Sequence, residues 1–379
     1  MTSLRWSAAR AATLLCCLAS TTSAQEIVPT DEPDTDADFW SQLRESLPFD
    51  IGGGFLLWYY SPFLDGAEDN TEIYYANLVF DARYEDFGIH FEPRFRDSKL
   101  RPFFQSNVWI QELYMSWNPE EDSNGVLKVG KVYSQFGRFW DGVFYGNIPY
   151  FDGLKLDPDL GLSWENKLEV REGLTVEYSA QFFDRDGATN GSLQGRDTLS
   201  VGNDQSSATD DTQRSFERNV LVGRIAPTLA LGDATSITVG VSGMHGEADF
   251  AAPASDSKFT RANGELSVTT GPFTVFGDYT HQNGNHVIDF PLPGSDSDDI
   301  DYLMSGASWT RGDWTLRYNY SFGDYDEDAL KEELHMPGLV WQFDEHLSLW
   351  FEYVYWTRDD AGDPELLDRS MNVVLYGAF

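Results

Sequence analysis

Between residues 71 and 85 the chain alternates without a break. Tyr74, Ala76, Leu78, Phe80, Ala82 and Tyr84 fall on one side of an extended strand, and Tyr75, Asn77, Val79, Asp81, Arg83 and Glu85 on the other. A period of two places successive side chains on opposite faces, so this is the pattern of a strand with one apolar face. The same writing recurs. Leu174, Val176, Tyr178, Ala180 and Phe182 alternate with Thr175, Glu177, Ser179 and Gln181, and Trp314, Leu316, Tyr318, Tyr320 and Phe322 with Thr315, Arg317, Asn319 and Ser321. Leu347, Leu349, Phe351, Tyr353 and Tyr355 alternate with Ser348, Trp350, Glu352, Val354 and Trp356. Segments of about eleven to thirteen residues are roughly twice the usual soluble strand and suit a tilted membrane crossing. One such strand alone also fits a sandwich on a soluble core; repetition favours the membrane, where tyrosines at the ends of an apolar band sit at the headgroup levels.

The links between these segments form two classes. Short ones fall near 85–88, 171–173, 232–234, 270–272, 311–313 and 344–346, with a somewhat longer one at 118–125. Longer polar ones fall near 61–70, 98–107, 138–160, 184–213, 250–257, 284–301, 326–332 and 358–367. Long and short strictly alternate, which puts long loops at one rim and short turns at the other. The fold expected over residues 49–379 is therefore all-β, a transmembrane antiparallel β-barrel of about sixteen strands, an even count with both termini on the short-turn side. Alternation fails at Lys131 within 126–136, and 218–225 reads equally well on either face, so fourteen or eighteen strands also fit.

The first twenty-four residues have a different character. Arg5 and Arg10 precede a short apolar run holding Leu14, Leu15 and Leu18, and Thr22, Ser23 and Ala24 form a small-residue cleavage site, the layout of a secretory signal peptide. The apolar run is too short to span a bilayer as a helix. Both cysteines, Cys16 and Cys17, lie inside it without a lipobox, so cleavage leaves a chain without disulfide or cysteine–metal chemistry. Residues 25–48 are acidic and proline-bearing and are expected to form a solvated periplasmic leader.

Charge narrows the partners. The formal net charge is −36 over 379 residues and becomes −38 once Arg5 and Arg10 are removed. Nucleic acid is an improbable partner for such a surface, whereas solubility or divalent cations gathered at acidic loops are compatible with it. Aromatic residues make up 15% of a chain of negative mean hydropathy. A membrane barrel reconciles the two, because lipid-facing and water-facing residues alternate and cancel in any window average. No cofactor motif is present.

The final residues, MNVVLYGAF, place Met371, Val373, Leu375, Gly377 and Phe379 on one face and end on an aromatic. In this the chain resembles bacterial outer-membrane porins, whose last strand alternates in this way and ends on phenylalanine, read by the barrel-assembly machinery. Phe379 matches that assembly signal; Gly377 stands where an aromatic or aliphatic residue is more usual. The resemblance implies residence in the outer membrane of a Gram-negative bacterium, contact with lipid and lipopolysaccharide with divalent cations bridging to acidic loops, and a homotrimer. It also implies that the third long link, 138–160, folds inward as a constriction loop.

That link carries Phe139, Trp140, Phe144, Tyr145, Tyr150 and Phe151, which a loop immersed in water has no reason to collect. Candidate constriction charges are Asp141, Asp152, Asp157 and Asp159 against Arg138 and Lys155. Inward parity adds the wall residues Arg83, Arg94, Arg96, Lys128, Lys167 and Arg317, opposed by Asp81, Glu92, Glu165 and Glu177. Opposed clusters would set a transverse field at the narrowest point. The expected function is passive diffusion of small hydrophilic solutes or ions. Basic wall residues leave open a phosphate- or anion-selective channel, and Trp140, Tyr145 and Tyr150 leave open a sugar channel in which rings stack on pyranose faces. An outer-membrane barrel enzyme, such as a lipid hydrolase, is the rival from another class, but the six histidines fall in no HExxH, GxSxG or zinc-ligand pattern. A soluble propeller would need self-similarity at about forty residues, which is missing.

Overall fold

The computed structural model describes residues 49–63, 69–96, 108–119, 125–138, 144–151, 158–185, 215–250, 255–288, 295–325, 330–360 and 363–379. The expected signal peptide at 1–24 and leader at 25–48 lie outside the described residues. Sixteen strands make up most of the rest. They are β1 (Asp50–Pro62), β2 (Asn70–Tyr84), β3 (Phe87–Phe95), β4 (Val108–Trp117), β5 (Val126–Tyr133), β6 (Pro158–Arg171), β7 (Leu174–Arg185) and β8 (Ser215–Ala230). There follow β9 (Thr235–Phe250), β10 (Ser255–Thr270), β11 (Phe273–Ile288), β12 (Ser295–Arg311), β13 (Trp314–Tyr325), β14 (Leu330–Asp344), β15 (Leu347–Asp360) and β16 (Asp363–Ala378). A single-turn helix, α1 (Ile148–Phe151), lies between β5 and β6. Each strand pairs antiparallel with its sequence neighbours, and β1 closes the ring on β16 with Gly54 opposite Ala378 and Pro62 opposite Ser370. Closure leaves no open sheet edge, the condition that a strand architecture must meet in lipid.

The two faces of the ring differ in kind. Val170, Val241 and Val275 are 59, 56 and 57% exposed, and Leu162, Leu266, Leu316 and Tyr318 are exposed with them. The opposite parity carries Ser163, Gln181, Asn263, Thr280, Asn319, Ser321 and Asn372, all buried. A wall that exposes valine and leucine while burying amides and hydroxyls is inside out for water and right side out for hydrocarbon. Exposed aromatics gather beside the short turns: Tyr84, Phe87, Trp117, Phe273, Trp314, Trp341 and Phe343. Trp314 and Trp341 stack at 5.3 Å with an interplanar angle of 3°. Aromatic rings at this level form the belt expected where hydrocarbon meets headgroups.

Among the departures from simple alternation, three bear on the pattern read from the sequence. Tyr74, expected on the apolar outer face, is the extra residue of a β-bulge where Leu56 faces Tyr75 and Leu57 faces Ile73. The bulge sends it to the other side, against Trp58 at 5.8 Å and Phe144 at 5.2 Å. The break at Lys131 follows Gly130, whose φ is 141°. The ambiguity of 218–225 comes from a second bulge, between Arg218 and Leu221, with Asn219 at φ 52°. Four long links are also shorter than expected. Pairing continues to Ser255 with Phe250, Ile288 with Ser295, Tyr325 with Leu330 and Asp360 with Asp363, so their polar residues form strand extensions instead of loops. Strands whose ends project past the hydrocarbon lose the apolar face that marks them in the sequence.

Candidate functional site

The segment joining β5 to β6 departs most from the regular wall. Its described parts, 134–138 and 144–151, attach to strands distant in the sequence. The backbone N–H of Gln135 donates to Gln181 Oε1 at 2.6 Å, that of Gly137 to Ser242 Oγ at 2.8 Å and that of Arg138 to Asp278 Oδ2 at 2.8 Å. Farther on, the N–H groups of Phe144 and Tyr145 donate to the two oxygens of Glu352 at 2.7 and 3.0 Å, and that of Ile148 to Ser321 Oγ at 3.2 Å. These acceptors stand on β7, β9, β11, β15 and β13, all on the polar face of the ring. An irregular backbone has no ladder to satisfy its amides, and buried amides need acceptors; single carboxylates and hydroxyls of the wall supply them.

Side chains anchor the same segment. Ile148 is fully buried with Ile300, Tyr302, Tyr325, Leu330, Leu334, Met336, Val354 and Trp356, and Tyr145 packs at the edge of that cluster. Burying one isoleucine stabilises by about 1.5–3 kcal/mol. Phe144 meets Trp58 at 5.5 Å, in an apolar group centred on Leu56, Val374 and Tyr376. The Tyr145 hydroxyl donates to Asp368. Burial first, and the Asp368 charge second, hold that phenol well above its ordinary titration range, so it remains a donor. Gly137 adopts φ 62°, where a side chain is strained, and a Cβ there would meet Asn263 Nδ2 and Asp278 Oδ2 at 2.9 Å and displace them.

Of the residues expected at a constriction, Arg138 is brought into place, with its guanidinium 4.2 Å above the Phe276 ring, and Tyr145 is held as described. Asp159 is at the start of β6, opposite Val132, away from Arg138's acceptor on β11. Trp140, Asp141, Asp152, Lys155 and Asp157 lie outside the described residues, as does the side chain of Tyr150.

The wall charges were expected as opposed basic and acidic clusters, but among the described residues opposite signs lie side by side. Arg94 Nε lies 2.7 Å from Glu92 Oε1, Lys128 Nζ 2.8 Å from Glu165 Oε2, and Lys167 Nζ 3.0 Å from Glu177 Oε1. Arg317 pairs with Glu352 while its guanidinium stacks 4.2 Å from Trp350. Arg96 lies over Trp109 at 3.6 Å, Asp81 holds His90, and Arg83 is exposed near the short-turn end. Lys167 stands opposite Glu177 in register, Lys128 reaches Glu165 diagonally on the next strand, Arg94 and Glu92 are two residues apart on β3, and Arg317 crosses β14 at Gly338 to reach Glu352. Each contact neutralises its charges locally. The sequence did not single out Asp278, Glu352 and Asp368. Each is an acid at inward parity, flanked two residues away by an uncharged side chain, and that pattern is their only signal.

No family model matches the sequence, and a search of curated proteins finds no relative. Solved structures do resemble the fold. OmpF of Salmonella typhi, in a complex with daunomycin, aligns with a TM-score of 0.56 at 13% identity, covering 87% of this chain and 97% of that one. The anion-selective porin of Comamonas acidovorans aligns at 0.54 with 11% identity, covering 87% and 99%. The outer-membrane channel DcaP of Acinetobacter baumannii aligns at 0.53 with 14% identity, covering 87% and 95%.

Proposed function

We propose that this chain is an outer-membrane porin of a Gram-negative bacterium, a passive channel for small hydrophilic solutes or ions, in which residues 138–160 fold inward as the constriction. The observation that carries this is the set of amide hydrogen bonds from residues 137–148 to Ser242, Asp278, Glu352 and Ser321, which tie the segment to the polar face of a closed sixteen-stranded ring. A barrel of this strand number leaves an aqueous channel unless something fills it, and a segment tied across its polar face sets the size of what passes. Its likeness to channels and porins that share this architecture supports the same conclusion. The proposal includes a cleaved signal peptide, assembly through the terminal Phe379, a homotrimer and lipopolysaccharide around the long-link rim.

Reversal potential in a salt gradient tests it, with refolded protein in a planar bilayer and with Asp141→Asn and Asp152→Asn together. Stepwise conductance whose ion preference shifts toward anions in the double variant is expected. Folded protein that conducts nothing but turns over lipid would point instead to a barrel enzyme.

A further inference from the structure

Apart from the constriction, the wall gathers a second group of chemically matched side chains. His90, Glu92 and Glu112 each offer one ligand atom, and these atoms lie within 4.8 Å of one another. We propose that they form a binding site for a divalent transition-metal cation of the zinc class.

Three strands build the site. Asp81 of β2 stands opposite His90 of β3, and Glu92 of β3 stands opposite Glu112 of β4. The register shifts immediately afterwards, with Pro93 opposite Ile110, so Gln111 is an extra residue that brings Glu112 to the same face as Glu92. The His90 ring is fixed on both sides. It stacks on Tyr114 at 4.8 Å and 13°, and its Nδ1 lies 2.7 Å from Asp81 Oδ1. A carboxylate on Nδ1 selects the tautomer with the proton there and leaves a lone pair on Nε2, the outer-carboxylate arrangement common behind metal-bound histidines.

Nε2 is buried and has no hydrogen-bond partner among the described residues. It faces Glu112 Oε2 at 3.9 Å. Lone pairs of an imidazole and of carboxylates aimed at one another repel unless a cation lies between them. A proton on Nε2 serves poorly, because 3.9 Å is too long for an N–H···O hydrogen bond. A metal ion bonded at about 2.0–2.2 Å to each ligand fits after small side-chain rotations. Charge agrees as well. Asp81, Glu92 and Glu112 stand against Arg94, which holds Glu92 Oε1 at 2.7 Å, while the nearby Lys128 is matched by Glu165 at 2.8 Å, so a divalent ion completes neutrality. One imidazole with two carboxylates suits zinc, cobalt, nickel or copper, whereas calcium and magnesium prefer oxygen alone.

Cobalt(II) is the probe, added to full-length refolded protein in detergent and followed by its visible absorption, with zinc as competitor. One cobalt ion per chain is expected, displaced by an equivalent of zinc, with affinity at least tenfold weaker in His90→Gln and in Glu112→Gln. Neutralising acidic residues of the long-link rim, with Asp296→Asn and Asp298→Asn, is expected to leave it unchanged. Binding that survives His90→Gln, or folded wild-type protein that takes up no cobalt, would overturn the proposal. If His90→Gln fails to fold, X-ray absorption of the wild-type cobalt complex decides: imidazole scattering supports the site, and a shell of oxygen alone refutes it.

Discussion

Glu352 has a fully buried side chain and serves three groups at once: the Arg317 guanidinium and the amides of Phe144 and Tyr145. A buried carboxylate is tolerated only when its charge and lone pairs are met, and the same holds for the guanidinium facing it. Glu352→Ala is therefore expected to lower unfolding stability by about 3–5 kcal/mol, because Arg317 keeps its charge and loses this carboxylate. Replacing both residues together with apolar ones of similar size, as in Arg317→Met with Glu352→Leu, should recover much of that loss in urea titrations of the refolded barrel. A single variant no less stable than wild type would mean that the contact contributes little. Arg317 was visible in the sequence as an inward charge. Glu352 was legible only as a polar position in an alternating strand, because nothing local announces which loop amides a carboxylate will meet two hundred residues away.

The closing seam shows how one strand shapes its neighbour. Gly377 stands opposite Phe55, whose ring occupies the place that a Cβ would need, with Phe55 Cζ 2.7 Å from that position. The departure at Gly377 from the usual terminal pattern thus has a local cause: the aromatic is supplied by β1 instead of β16. Gly377→Tyr is expected to reduce severalfold the fraction of heat-modifiable, folded barrel, and the exchange Phe55→Gly with Gly377→Phe to restore it. Equal yields for all three would remove the link between this contact and closure. Most strands were readable from period-two alternation, and all sixteen appear in the expected order because long and short links alternate without exception. What escaped were the residues where the period slips. A bulge at Tyr74, Gly130 at φ 141° and Asn219 at φ 52° each shift parity over a few residues, and alternation cannot report a shift that it assumes away. The ends of the long hairpins escaped for a related reason: above the membrane both faces are wet, and a polar strand reads like a loop.

For the whole molecule, the ring exposes its apolar side and keeps its polar side to itself, and the segment after β5 bonds to that polar side at widely separated strands. The inventory of wall charges was legible in the sequence, but their arrangement was not, since pairing across strands depends on register. The central claim is that an aqueous path runs through the ring and that residues 138–160 narrow it. Single-channel conductance of the refolded protein in a planar bilayer, compared with a variant lacking residues 139–143, tests this most directly. Discrete openings in the wild type and a conductance at least about twice as large in the shortened chain are the predicted result, since ion flow scales with the open cross-section. Identical conductance in the two folded proteins would take the segment out of the pore, and no conductance in either would contradict the channel itself.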